Sequence, residues 1–226
     1  MELKSRVANG WAKFHKYGKE LLDKDYPLKQ RIRLFNSVVT PTVLYGSSTW
    51  AMTKEREAKL QVAQRRMIRK IVKVGRAGGS DGAHSRETSE ASSSSEDEKR
   101  SDSEEDDGDD KEEGETWVQW IIRATRVGEQ EMRKARVDDW IEEQRRRKWR
   151  WAGHTVRRMD GRWSKEVTNW SPIEGRRKVG GQHLRWQKAI DDFAMQKAGW
   201  GPGEWQILAM DREGWKEWES EFVKKG

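Results

Sequence analysis

The chain has 226 residues, 33% hydrophobic and 38% charged, a lean apolar supply that leaves part of its length with no core to join. It has no cysteine, which excludes disulfides and thiolate zinc sites, and its four scattered histidines form no HxxxH or HExxH pair for a metal centre. The net charge of +7 is unevenly placed: residues 80–115 hold sixteen acids against four cations, a local −12, so the other 190 residues carry +19 and suit a polyanionic partner.

The chain is charged from Glu2 onward, and its longest weakly polar run, SVVTPTVLYG, is short and contains Pro41. The expectation is an intracellular protein with no secretory signal and no membrane span.

Leu3, Val7, Trp11 and Phe14 recur at spacings of four, four and three, which predicts a first helix. Asp25 can cap a second and Pro27 can sit in its first turn. Leu28, Ile32, Phe35 and Val39 repeat the helical stripe until Pro41 kinks or stops it. Thr53 opens a third helix with Glu55 and Glu57 in its first turn and Leu60, Ala63, Met67 and Ile71 on one face; its other face carries Arg65, Arg66, Arg69, Lys70 and Lys73.

Between Gly78 and Glu115 no apolar period exists, and serine, glycine and like charges cannot offset an ordering cost of about 1 to 2 kcal/mol per residue. A disordered acidic linker is expected there. Ser93, Ser94, Ser95, Ser101 and Ser103 each have an acid three residues on, the pattern an acid-directed kinase reads.

Helical spacing resumes with Trp117, Trp120, Ile121 and Ala124, and again with Val137, Trp140, Ile141 and Trp151. The second of these helices runs into RRRKWRWAGHTVRRMDGRW, residues 145–163, which holds eight cations: Arg145, Arg146, Arg147, Lys148, Arg150, Arg157, Arg158 and Arg162. Beyond Pro172 a glycine-rich loop carries Arg176, Arg177 and Lys178. Arg185 then leads into a helix with Trp186, Ile190 and Phe193 on one face. Two short helices close the chain, around Trp205, Leu208 and Ala209 and around Trp215, Trp218 and Phe222. With no strand pattern, the fold class is mainly α: two small helical modules, residues 1–77 and a Trp-rich 116–226, joined by the acidic linker 78–115.

Twelve of the fourteen tryptophans follow residue 116, and their period places Trp117, Trp120, Trp140, Trp205, Trp215 and Trp218 in the core. Trp149 and Trp151 alternate with Arg147, Lys148 and Arg150, so they point to different faces. His154 has no nucleophile or carboxylate in a recognisable arrangement and reads as a structural histidine at a helix end. Asp138 with Asp139 reads as a helix start, and Asp191 with Asp192 as positions within a helix; neither pair has the companions of a metal site. One basic run alone would be a solvated helix face, but three runs in a +19 body favour phosphate binding.

Six segments in order resemble one family: Phe14 to Trp50 with its LYGxxTW, Leu60 to Ile71, Trp117 to Arg123, Arg146 to Trp163 with WxGHxxR, Leu184 to Phe193, and Ala209 to Val223 with DRxxW. Together they resemble the region after the palm in non-LTR, LINE-like retrotransposon reverse transcriptases. The resemblance implies that residues 1–77 are thumb helices over a template and primer duplex, and that 116–226 are the basic C-terminal region. It assigns magnesium to palm aspartates in an (F/Y)-A-D-D motif that these 226 residues do not contain, so no cofactor and no catalytic residue are expected here. Where the family reads Gly-Arg-Pro ahead of its Arg-Trp, this chain reads Gly180-Gly181-Gln182.

The resulting expectation is a truncated reverse transcriptase region, nuclear and unable to polymerise alone, that binds RNA or an RNA–DNA hybrid. Arg65, Arg66, Arg69, Lys70 and Lys73 would lie along the hybrid. Arg145, Arg146, Arg147, Lys148, Arg150, Arg157, Arg158, Arg162, Arg176, Arg177, Lys178 and Arg185 would hold phosphates. The acidic linker would compete for these cations within the chain. The alternative is a non-enzymatic scaffold that binds basic proteins through its Trp-rich helices and acidic segment.

Overall fold

The structure, a computed structural model, describes residues 2–77, 115–158, 160, 161, 163, 166, 168 and 186–225, and every regular element among them is helical. The chain is mainly α, as its periodicity predicts. The disorder expected of the acidic linker falls on residues 78–114 and so lies outside the described residues. No helix among the described residues is long and apolar enough to cross a membrane.

The first part comprises α1 (Glu2–Lys16), α2 (Gly18–Leu22), α3 (Leu28–Val38), α4 (Thr40–Val43) and α5 (Lys54–Val72). Pro27 takes the N-cap position of α3, where its missing amide costs nothing. Asp25 is therefore not the cap; its own amide donates to Asp23 Oδ1 at 3.0 Å. Pro41 cannot extend the α3 hydrogen-bond ladder and starts α4 instead. Thr53 caps α5 as its position predicts, its hydroxyl accepting the Arg56 amide at 3.1 Å, and the helix ends on Lys73 in the left-handed region.

After the acidic segment come α6 (Trp117–Ala135), α7 (Trp140–Arg157), α8 (Lys188–Ala198), α9 (Trp205–Met210) and α10 (Arg212–Lys225). Thr116 and Gln119 form a reciprocal capping box at the start of α6. Asp139 caps α7 by accepting the Ile141 amide at 2.7 Å, which is the role its place at a helix start predicts.

The buried side chains divide inside α7 and not at the acidic segment. One cluster joins Phe14, Leu21, Ile32, Phe35, Leu60 and Met67 to Met132, Ala135 and Trp140. Trp140 is fully buried, stacks on Phe35 with centroids 5.7 Å apart, and donates from its indole to Thr40 Oγ1 at 2.9 Å. Gln64, also buried, joins α5 to this joint: its amide nitrogen donates to Asp138 O at 3.1 Å, and its oxygen accepts the Trp140 amide at 2.9 Å. Gly128 lets α6 approach α5, since a Cβ there would meet Ile68 Cγ2 at 2.9 Å.

The second cluster gathers Trp149, Ala152 and Val156 of α7 with Ile190, Phe193, Trp205, Trp215 and Phe222. Helix α7, about 27 Å long at 1.5 Å per residue, is thus a rod with its first turn in one core and the rest in the other.

The tryptophan expectation is corrected at one end. Trp140, Trp205 and Trp215 are buried and Trp120 and Trp218 half-buried, but Trp117 is 61% exposed. The reason is register. Trp120 already reaches past the end of α5, donating to Val74 O at 2.8 Å, so Trp117, most of a turn earlier, has no helix beneath it.

The acidic segment leaves and returns at one point. The Glu115 amide donates to Ala77 O at 3.1 Å, and its carboxylate accepts the Ala77 amide at 3.0 Å and two Arg123 donors at 2.7 and 2.6 Å. Arg123 also donates to Gly75 O at 2.7 Å. The paired Arg123 and the Ala77 amide hold the Glu115 carboxyl down at about 2, well below the usual range.

Candidate nucleic-acid interface

The cations of α7 are engaged by acceptors within the chain to a degree their sequence does not suggest, Arg150 while its side chain stays exposed. Arg145 meets Glu57 of α5 with two bonds of 3.1 and 3.2 Å and also donates to Val223 O at 3.3 Å. Arg146 pairs with Asp138 and Glu143, at 2.6 and 2.7 Å. Arg147 pairs with Glu143 at 2.8 Å and donates to Leu44 O at 3.1 Å. Arg150 grips Glu219 of α10 through Nε and Nη2. Arg157 donates to Ala209 O at 2.6 Å, and burial, then the charge of Arg212, lowers its pKa. Arg158, half-buried, is the residue on which α7 stops.

Lys148 is the extreme case. Only 2% exposed, it donates to Trp186 O at 3.1 Å, with its ammonium 5.7 Å from the Trp186 ring centroid. Burial pulls its pKa down to about 8, against a smaller opposite pull from Glu57. Trp186 is held at its other side by its indole, which donates to Ser48 O at 2.6 Å, and it meets Trp151 edge to face. Trp151 and Trp149 therefore do face differently, one to Trp186 and one to the second core. His154 is exposed in the last turn of α7.

Arg162, Arg176, Arg177, Lys178 and Arg185 lie outside the described residues. On α5, Arg65 pairs with Glu129 at 2.6 Å, Arg69 donates to Thr125 Oγ1 at 2.8 Å and Lys73 donates to Leu22 O at 2.9 Å. Arg66 and Lys70 are exposed and have no acceptor among the described residues. The pKa of Arg69 is lowered first by burial and then by the charges of Arg66 and Arg65, so three guanidinium groups crowd one stretch of α5 with one carboxylate between them. That crowding is the electrostatic condition for recruiting a further anion.

The sequence pattern missed Arg126, which is exposed on α6 one turn beyond Ile122 and also has no acceptor among the described residues. The helical offset of four from Ile122 was the available signal. A cleft of ≈ 720 Å³ where α5, α6, α7 and α10 meet presents Arg133, Arg136 and Lys224, but its five cations face four acids. Such a balance does not favour a polyanion.

Curated proteins include a similar one, a transposon-derived protein of Caenorhabditis elegans, 26% identical over 222 residues. The match covers 95% of this chain, and the chain spans 62% of the length of that relative. No family model and no solved structure matches. The chain is thus similar, across nearly all of its length, to a protein derived from a transposon.

Proposed function

We propose that this chain is a transposon-derived nucleic-acid-binding protein, corresponding to the post-palm region of a non-LTR reverse transcriptase, and that it binds RNA or an RNA–DNA hybrid in the nucleus. Residues 1–77 take the thumb role in this reading and 116–226 the basic C-terminal role, with binding and not polymerisation as the chemistry. The observation that carries it is the cation group on α5, where Arg66 and Lys70 stand exposed beside Arg65 and Arg69 with no acceptor among the described residues. Similarity to a transposon-derived protein supports the origin. Dispersed Arg and Lys bind phosphate through charge neutralisation and counterion release. The α7 cations contribute to this indirectly by holding the helices in place, and the −12 acidic segment competes with nucleic acid for the free cations.

The test is purification without nuclease. Nucleic acid should co-purify, raising the ultraviolet absorbance ratio, and a high-salt wash should remove it. Protein that emerges free of nucleic acid and binds basic proteins instead would favour the scaffold role.

A further inference from the structure

Helix α7 carries a buried ammonium that no carboxylate among the described residues pairs with. Lys148 is 2% exposed, yet of its three N–H donors only one meets an acceptor there, the Trp186 carbonyl at 3.1 Å. The carboxylate whose charge it feels, Glu57, is committed to Arg145 by two bonds of 3.1 and 3.2 Å. An unpaired buried charge is costly, and burial lowers the Lys148 pKa for that reason, against the smaller opposite pull of Glu57. Arg145, one turn earlier on the same face of α7, keeps a buried Nε that has no acceptor among the described residues either.

Both side chains line one cavity of ≈ 430 Å³, within the range of about 300 to 1,000 Å³ that small-molecule sites occupy. The start of α5 and one face each of α7, α8 and α10 enclose it, with Gln144 and Lys148 on its buried side and Lys54, Asp192 and Lys225 on its exposed side. Four cations line it against two acids. Both acids are taken, Glu57 by Arg145 and Asp192 by Lys188 at 3.1 Å, and Lys225 is paired with Glu221. Lys54 and Lys148 are left without a carboxylate among the described residues.

The occupant must bring about two negative charges on one small group, with oxygens for the open donors. A phosphate monoester carries about −1.5 to −2 at neutral pH and three strong acceptor oxygens, and lysine binds phosphate as a point charge. A carboxylate has half that charge. An internal RNA phosphate has the strand on both sides of it, so a cavity admits only a strand end. Phe193 and Phe222 give the organic part of such a ligand an apolar wall.

We propose that this cavity, with Lys148 and Arg145 on its α7 wall and Lys54 on its exposed side, is a binding site for a phosphate monoester of mononucleotide size. A free nucleotide and the phosphorylated end of an RNA strand share that chemistry. The site goes beyond the nucleic-acid reading, which rests on Arg66 and Lys70 of α5, and neither depends on the other. It gives a reason for a lysine at a position buried as deeply as its neighbour Trp149.

The experiment is calorimetric titration of the full chain with uridine monophosphate, uridine and succinate at fixed ionic strength, joined to fluorescence anisotropy with one RNA sequence made with and without a terminal phosphate. The monophosphate should bind, and uridine and succinate should not. Lys148→Met should weaken the monophosphate by about 10- to 150-fold, the loss of one hydrogen bond to a charged group. Lys54→Gln, a surface change that keeps the test open if the first variant does not fold, should weaken it by about 2- to 5-fold. A terminal phosphate that tightens RNA binding in the wild type but not in Lys148→Met identifies the strand end as the ligand; equal affinity for the two RNAs, with the monophosphate bound, identifies the free nucleotide. Wild-type affinity for the monophosphate in either variant overturns the site, as does succinate bound as tightly or a wild-type chain that binds no monophosphate. RNA binding that depends on Arg66 would survive each of these results, so the nucleic-acid reading stands or falls separately.

Discussion

Trp149 and Trp215 hold each other by exchanged hydrogen bonds: the Trp149 indole donates to Trp215 O at 2.8 Å, and the Trp215 indole donates to Trp149 O at 3.1 Å. The two rings stack with centroids 3.7 Å apart and planes 6° from parallel. Each indole N–H is buried with a partner, which removes the usual cost of placing tryptophan in a core. The arrangement also explains the glycine in Trp151-Ala152-Gly153-His154. A Cβ on Gly153 would meet Trp215 Nε1 at 2.4 Å and Cδ1 at 2.7 Å. The two sequence motifs WxGH and DRxxW are thus the two halves of one contact.

Gly153→Ala should therefore destabilise the protein, although alanine is the better helix former by about 1 kcal/mol. Trp215 is pinned by its exchanged bonds and cannot retreat, so overpacking of about 1 to 3 kcal/mol should prevail. Urea unfolding measures it; a variant as stable as the wild type would show that Trp215 yields.

Gln64→Leu should cost about 1 to 3 kcal/mol, because the buried Trp140 amide loses its acceptor and leucine offers none. Hydrogen exchange at the Trp140 amide should accelerate as well. If exchange there stays at the wild-type rate, Gln64 is not the clasp between α5 and α7.

Much of this fold is legible in the sequence. The stripes of α1, α3 and α5 and the Thr53 cap all follow from period and capping chemistry. What escapes it is tertiary. Nothing in the order of residues says that Trp140 enters the core of the first helices, since that depends on Phe35 and Gln64 lying in its path. Nor does a run such as Arg145 to Arg150 disclose that Glu57, Asp138, Glu143 and Glu219 pair with its four arginines while Lys148 is buried against a carbonyl. Charge counted along a chain overstates the charge offered to a ligand: Arg126, outside the basic runs, is exposed, while Lys148, within one, is buried.

Lys148→Met should stabilise the protein at neutral pH, with a sign that depends on pH. The folded chain lowers the Lys148 pKa to about 8 from an unfolded value of 10.5, so the unfolded chain binds the proton more tightly. Wild-type stability should then rise as pH goes from about 8 to about 10.5, by on the order of 3 kcal/mol. The advantage of the methionine variant is greatest below pH 8 and shrinks above it, less about 1 kcal/mol for the lost bond to Trp186 O. Thermal midpoints of both proteins across this range provide the check; a constant difference would mean that Lys148 titrates normally.

Replacing residues 78–114 with a short Gly-Ser turn should leave the melting temperature nearly unchanged, because Ala77 and Glu115 are already hydrogen-bonded to each other. RNA affinity should increase on the same deletion if the acidic segment competes for the cations. Glu115→Gln should instead loosen the junction. Its contribution is present above the unfolded pKa of 4.5 and is lost as pH falls from there toward about 2. The acid limb of the wild-type melting curve should accordingly flatten in the variant. An unchanged limb would remove the Arg123 pair from the account.

The most direct measurement of the central claim is the salt dependence of RNA binding by the intact chain. With about six phosphates neutralised, a plot of log affinity against log salt should fall with a slope of about −4 to −5, and Arg66→Gln should make it shallower by about one contact. A flat plot, or no binding at low salt, would contradict the account.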